Sequence, residues 1–301
     1  MNRPGERIAA IDVGSNSVKL TVAEYDPGAG LVVIEEAEDR PRLGAGLARS
    51  GRLGDTEMRR AIESLARMRE ICRRHGVTRV AAVGTAALRE AANGAEFVAR
   101  VRELDIPLRM ILPETEAALA YRSAAYHFPG SHRTLVADIG GGSLELIGAE
   151  NGAVTLSHSL PLGAVKLTEL ELPLAELGER IRRELEPILP ASEWRGSRVI
   201  GLGGTFVTLG SMMLARPGPS SRPLHGITVT TAEVHRLMSS LAALRPEQRR
   251  QVAGLHPQRA DIIVAGSAVA AELLEAVDAA DVRVSGFGLR DGLLLEMVGL
   301  E

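Results

Sequence analysis

Apolar and polar positions fall into two kinds of block along this chain. Residues 8–11 form a short apolar run that stops at Asp12, turns through small residues and resumes with apolar and β-branched residues from Val18. That order predicts a strand, a tight turn and a second, antiparallel strand. Residues 134–137 open the same pattern again, stopping at Asp138. The other kind of block is helical. Across residues 55–75, Met58, Ile62, Leu65, Met68 and Cys72 recur at the spacing of one helix face. On its other face Glu63 with Arg67, and Glu70 with Arg74, stand at i,i+4 and predict ion pairs along the helix. Next come a strand over 79–83, a turn at Gly84 and Thr85, a short helix carrying Arg89, a helix after Asn93, a strand over 106–112 and a helix over 114–126. The second half reads as a helix over 174–185, a strand over 198–202, a helix after Gly204, helices over 231–244 and 259–276, a strand over 281–285 and a helical tail from Leu289.

The two hairpins are copies of one another. Asp12-Val13-Gly14-Ser15-Asn16-Ser17-Val18-Lys19-Leu20 returns as Asp138-Ile139-Gly140-Gly141-Gly142-Ser143-Leu144-Glu145-Leu146, an offset of 126 residues, and Ala23-Glu24 is matched by Ala149-Glu150. Two domains each opening with the same hairpin are therefore expected. A chain of 301 residues agrees, because single hydrophobic cores stop growing at about 250 to 300 residues. Two similar α/β halves leave an interdomain cleft, where ligands usually bind.

Composition narrows the function classes. A net charge of −3 carries no electrostatic footprint of a nucleic-acid partner. No segment reaches the roughly 18 uninterrupted apolar residues of a membrane span. The polar start at residues 1–7 lacks the apolar centre of a secretory signal. A cytoplasmic protein with no membrane partner is expected. The one cysteine, Cys72, excludes an intrachain disulfide and falls on the apolar helix face, as a core residue would. Seven histidines without a His-Glu-x-x-His or other paired spacing argue against zinc.

The turns are the candidate chemistry. Gly14, Ser15, Asn16 and Ser17, and again Gly140, Gly141, Gly142 and Ser143, can present successive backbone N–H groups and hydroxyls to an anion. Asp12 and Asp138 each end a buried strand, where a carboxylate is costly unless paired or bound to metal. Both are candidate ligands of magnesium, which takes one or two carboxylates together with substrate phosphates; manganese is the alternative ion. Glu145, two positions beyond Ser143 on the same strand face, joins them as a candidate for metal or water. Gly203, Gly204 and Thr205 follow an apolar strand and open a helix, so their N–H groups can also receive a phosphate. The lysine of a P-loop is missing, and Ser15 and Ser17 lie outside a Gly-x-Ser-x-Gly elbow.

These loops in this order resemble the exopolyphosphatase and guanosine pentaphosphate phosphatase family. The resemblance runs almost end to end. It takes in the first hairpin, Arg42-Leu43-Gly44, the segment from Gly84 to Ala91 with Asn93, the second hairpin with Glu145, and Gly203-Gly204-Thr205. It continues through Arg259-Ala260-Asp261-Ile262-Ile263 and the stretch from Val284 to Gly292, which includes Gly288-Leu289-Arg290-Asp291-Gly292. It implies the actin-like fold of the acetate and sugar kinase, chaperone and actin superfamily, built from duplicated ribonuclease H-like domains. Residues 1–118 with 289–301 would form the first domain, with the tail helix packed back on it, and residues 119–288 the second. It implies a homodimer, and Glu116 as the base that takes a proton from water. The segment before that residue departs from the family pattern, with Leu112-Pro113 in place of a Ser-Gly pair and Thr115 in place of a glutamate. Arg89 would clamp a phosphate, and the substrate would be inorganic polyphosphate or guanosine pentaphosphate. Longer relatives carry extra helical domains that this sequence does not reach. A nucleotide- or alarmone-binding sensor with little turnover, and a small-molecule kinase of the same superfamily, are the competing readings.

Overall fold

The computed structural model describes residues 5–130, 133–215 and 222–300, so the first four residues of the polar start lie outside it. The chain divides into two compact units, Met1–Tyr126 with Leu289–Glu301, and His127–Gly288. The helix Pro113–His127 runs through the boundary expected at residue 118.

In the first unit the strands are β1 (Glu6–Val13), β2 (Val18–Asp26), β3 (Gly30–Asp39), β4 (Arg79–Gly84) and β5 (Leu108–Met110), in the order β3-β2-β1-β4-β5. β1 is central, antiparallel to β2 and parallel to β4. Its side chains alternate between two cores, as a strand buried on both faces requires. Ala9 and Ile11 pack with Met58, Leu65, Met68 and Cys72 of the helix Asp55–Arg74. Ile8 and Ala10 pack on the other face with Leu289, Leu293, Leu294 and Val298 of the tail helix Leu289–Val298. Gly292 lets the tail helix lie against the helix Pro113–His127, since a Cβ there would fall 2.0 Å from the Leu119 carbonyl oxygen.

The second unit holds β6 (Thr134–Ile139), β7 (Leu144–Glu150), β8 (Ala153–Leu160), β9 (Arg198–Leu202), β10 (Thr228–Thr230) and β11 (Asp281–Val284), in the order β10-β11-β9-β6-β7-β8. Without its edge strand β10 this is the topology of the first sheet. The copy extends to detail. The register shifts between Val22 and Ala23 in one sheet and between Gly148 and Ala149 in the other, 126 residues apart. Gly14 N–H donates to the Ser17 carbonyl at 3.0 Å, and Gly140 N–H to that of Ser143 at 3.0 Å. The fold is a duplicated α/β arrangement, two mixed sheets of one strand order with helices packed on them.

Several sequence expectations change. The edge strands β3 and β8 were not expected: four of the ten residues of β3 and four of the eight of β8 are polar, and β3 has no apolar alternation. The strand expected over 106–112 shrinks to β5: Leu108 N–H folds back on the Ile106 carbonyl at 2.7 Å, and only Ala82–Gly84 of β4 is offered for pairing. The helix expected from residue 259 starts at Ile263, behind a 3₁₀ turn at Pro257–Arg259. The i,i+4 ion pairs on the helix Asp55–Arg74 give way to others. Arg67 donates to Asp39 at 2.7 Å, Arg74 lies 3.5 Å from Glu35, and Glu70 pairs with Arg73 at 2.7 Å. The acidic strand β3 supplies nearer partners for two of these arginines. Among the described residues no helix is long and apolar enough to cross a membrane.

Candidate active site

In the first unit the turn after β1 is held from outside. Arg42 N–H donates to the Asn16 carbonyl at 3.1 Å and Gly44 N–H to that of Ser15 at 2.8 Å. Arg42 takes a left-handed φ of 59° to do so. Gly44 lies so close that a Cβ there would meet the Ser15 Cβ at 2.8 Å. Ser15, Asn16 and Ser17 are buried as a result. Both side-chain polar atoms of Asn16, and Oδ1 of Asp12, are buried without a hydrogen-bond partner. Such atoms are costly in a finished core and are understood where a ligand supplies the missing partner. Burial raises the Asp12 pKa, against the pull of the Lys19 and Arg290 charges, with Glu38 adding to the rise. Lys19 stands directly opposite Asp12 on β2, and Glu38 opposite Lys19 on β3. Arg290, at the start of the tail helix, donates to the Leu20 carbonyl at 2.6 Å and lies 3.6 Å from Glu36.

The same unit brings Arg89 and Glu116 together. The short helix Ala86–Glu90 follows β4 through Thr85, whose N–H bonds the Val13 carbonyl at 3.2 Å. Arg89 Nη1 then donates to Glu116 Oε2 at 2.7 Å and to the Ile111 carbonyl at 3.0 Å. Glu116 sits in the first turn of Pro113–His127, only 7% exposed, where the helix dipole favours an acid. The motif reading gave these two residues separate tasks, and it is the fold that joins them. Asn93 proves to be a bracket: its Oδ1 accepts from Leu53 N–H at 2.8 Å and its Nδ2 donates to the Leu53 carbonyl at 3.0 Å.

In the second unit Asp138 on β6 faces Glu145 on β7 in register, so both carboxylates lie on one face. Glu145 Oε1 accepts from Ser143 Oγ at 2.6 Å and from Ser159 Oγ at 2.9 Å. The glycine turn is braced by Ala164 N–H on the Gly140 carbonyl and by the Val165 and Lys166 N–H groups on that of Gly141. The segment carrying Gly203, Gly204 and Thr205 closes on the end of β6. Gly203 has φ 80°, and a Cβ there would lie 2.2 Å from Asp138 Oδ1. A Cβ on Gly204 would lie 2.0 Å from Arg259 Nη1. Motif reading gave Arg259 no task, because only the turn before Ile263 carries its guanidinium to the start of the helix Gly203–Met213.

A divalent cation is tested by these donors. Asp138 and Glu145 offer hard oxygen ligands across one strand pair, and the missing side chain of Gly203 leaves room at Asp138 Oδ1. That suits an ion that takes few carboxylates and keeps water and phosphate oxygens. Among the described residues no group of three or more His, Cys, Asp or Glu stands together as a metal site.

Comparison with known proteins identifies the family. The chain is 31% identical to exopolyphosphatase 2 of Mycobacterium tuberculosis over 97% of its own length and 99% of the relative. It is 30% identical to the guanosine-5'-triphosphate,3'-diphosphate pyrophosphatase of Vibrio cholerae over 96% of its own length, spanning 59% of that protein. A crystal structure of the Aquifex aeolicus member of the Ppx/GppA family has 32% identity, covers 97% of each chain and gives a TM-score of 0.80. The model of the Ppx/GppA phosphatase family matches residues 21–301, and the chain belongs to that family.

Proposed function

We propose that this protein is a phosphohydrolase that removes the terminal phosphate from inorganic polyphosphate, guanosine pentaphosphate or both, by direct attack of water. The observation that carries the mechanism is the buried Glu116 carboxylate held by Arg89 at 2.7 Å. A carboxylate fixed in one rotamer is a positioned base, and proton transfer to such a group contributes roughly 10² to 10⁴ in rate. The N–H groups and hydroxyls of Gly14, Ser15, Asn16 and Ser17 receive phosphoryl oxygens, and so do Gly140, Gly141, Gly142, Ser143, Gly203, Gly204 and Thr205. Arg89 orients the base and adds positive charge beside the phosphate. Magnesium, or manganese in its place, would be held by Asp138 and Glu145 and would neutralise charge on the phosphoryl oxygens. No covalent phosphoenzyme is needed.

The test is phosphate release from polyphosphate and from guanosine pentaphosphate, each with magnesium, by the wild type and by Glu116→Gln. Release abolished or cut by two orders of magnitude or more in the variant is expected. No release from either substrate by the wild type rejects the reading in favour of a binding or sensing role, and phosphate transfer only to an added acceptor rejects it in favour of a kinase. A homodimer in the cytoplasm belongs to the same proposal; light scattering that gives a monomer mass removes the dimer.

A further inference from the structure

The edge strand β8 is exposed along most of its length and turns inward at its end. Leu160, Leu162 and Leu167 are buried in the core of the second unit, and Ala164 and Val165 are buried with Ile262. The segment 159–166 therefore has a fixed place, although it lies at the margin of the sheet. It touches the candidate site twice.

The first contact is a side chain. Ser159 stands directly opposite Glu145 across β7 and β8, and its hydroxyl donates to Glu145 Oε1 at 2.9 Å. Ser143 donates to the same oxygen at 2.6 Å. Glu145 is only 2% exposed, and a carboxylate that far from water needs donors to hold its charge. Two hydroxyls on one oxygen, one from the glycine turn and one from the edge strand, restrict the carboxylate from two sides.

The second contact is backbone. The N–H groups of Ala164 and Val165 donate to the carbonyls of Gly140 and Gly141 at 3.0 and 2.9 Å, and that of Lys166 to Gly141 at 3.2 Å. In a trans peptide the carbonyl and the following N–H point in opposite directions. Tying back these two carbonyls turns the N–H groups of Gly141 and Gly142 away from the segment, as an anion-binding turn requires. Gly163 sets the distance. Its φ of −75° and ψ of 145° suit any residue, yet a Cβ there would lie 2.2 Å from the Gly142 carbonyl carbon and 2.4 Å from the Ser143 nitrogen. Only glycine lets the segment lie so close. The first unit uses the same device: Gly44, beyond β3, donates to the Ser15 carbonyl at 2.8 Å, and a Cβ on it would meet the Ser15 side chain.

We infer that the segment 159–166 is a positioning element of the second unit's site. Ser159, which no motif singled out, is a positioning residue acting through Glu145, and Gly163 seats the glycine turn. This rests on the reading of that turn and of Glu145 as parts of a phosphohydrolase site.

The experiment measures kcat and KM for phosphate release from polyphosphate by the whole chain and its variants, beside crystal structures of the wild type and Ser159→Ala. Ser159→Ala should lower kcat about tenfold or more, the worth of a hydrogen bond to a charged group, with KM within about threefold of the wild type. Ser159→Thr, which keeps the hydroxyl, should restore the rate. With Glu145→Ala already in place, Ser159→Ala should cost nothing further, because its effect passes through the missing carboxylate. In the Ser159→Ala crystal Glu145 should leave its present rotamer. Gly163→Ala should raise KM about tenfold or more by pushing the turn N–H groups out of place. An unchanged kcat in Ser159→Ala with Glu145 unmoved, or an equal fractional loss in the Glu145→Ala background, overturns the role of Ser159 and leaves the protein a phosphohydrolase. An unchanged KM in Gly163→Ala overturns the seat. A wild type that releases no phosphate rejects the function, and the crystals then decide the positioning alone, an unmoved Glu145 overturning it. If Gly163→Ala fails to fold, the Ser159 series decides.

Discussion

Replacing Arg89 by methionine keeps most of the length of the side chain and removes both hydrogen bonds made by Nη1, to Glu116 at 2.7 Å and to the Ile111 carbonyl at 3.0 Å. At that separation and an effective dielectric of about 20, two unit charges attract by about 6 kcal/mol before desolvation is counted. The pair is largely withdrawn from water, with side-chain exposures of 18% and 9%, so the cost of desolvating it has already been met in the native state. Removing one partner leaves the other buried and unbalanced, which costs about 3 to 5 kcal/mol. Glu116→Gln is milder. Its amide oxygen still accepts from Nη1, and the loss should be about 1 kcal/mol. In the double variant, Arg89→Met no longer strands a charge, so a double-mutant cycle should return a coupling of about 1.5 to 3 kcal/mol. Urea unfolding of the four proteins, followed by circular dichroism, measures each corner. A coupling below about 0.5 kcal/mol would show that the two side chains do not depend on one another, and the argument that Arg89 holds the base would fail.

Other outcomes follow from single groups. Burial raises the Asp12 pKa in the folded state, so its ionised form opposes folding at neutral pH. Asp12→Asn should be more stable than the wild type at pH 7 in chelator, with the gain shrinking as pH falls through the folded pKa and absent below the unfolded value near about 4. A gain that does not change with pH rejects that origin. The Cys72 thiol is pushed up by burial to about 11, which leaves about one part in a thousand as thiolate at pH 8. Ellman's reagent should therefore react at least about a hundredfold more slowly with the native chain than with the unfolded one, and equal rates would place Cys72 outside the core. Gly203→Ala would set a Cβ against Asp138 Oδ1 at a φ of 80°, costing more than about 1 kcal/mol of stability and weakening manganese binding. A melt and a dialysis result both equal to wild type would show that this glycine is not a spacer.

What the sequence determined by itself was local. The stop of an apolar run at Asp12 and Asp138, the small residues behind each, and the spacing of Met58, Leu65 and Met68 are written within one turn or one helix face. They were enough to find the repeat and the α/β class, and the resemblance they carry gave Glu116 and Arg89. Tertiary structure decided which charges meet. Arg89 reaches Glu116 because β5 ends at Met110 and lets Ile111 turn into the helix Pro113–His127. Arg259 reaches Gly204 from a turn far along the chain, and Arg290 returns to β2 from the other end of the sequence. Lys19 faces Asp12 through the register of one strand pair, and a slip of one residue would turn it to the opposite face. A charge has no period and no turn preference that announces its partner. Its pairing is set by strand order and helix placement, which depend on the burial of the whole core.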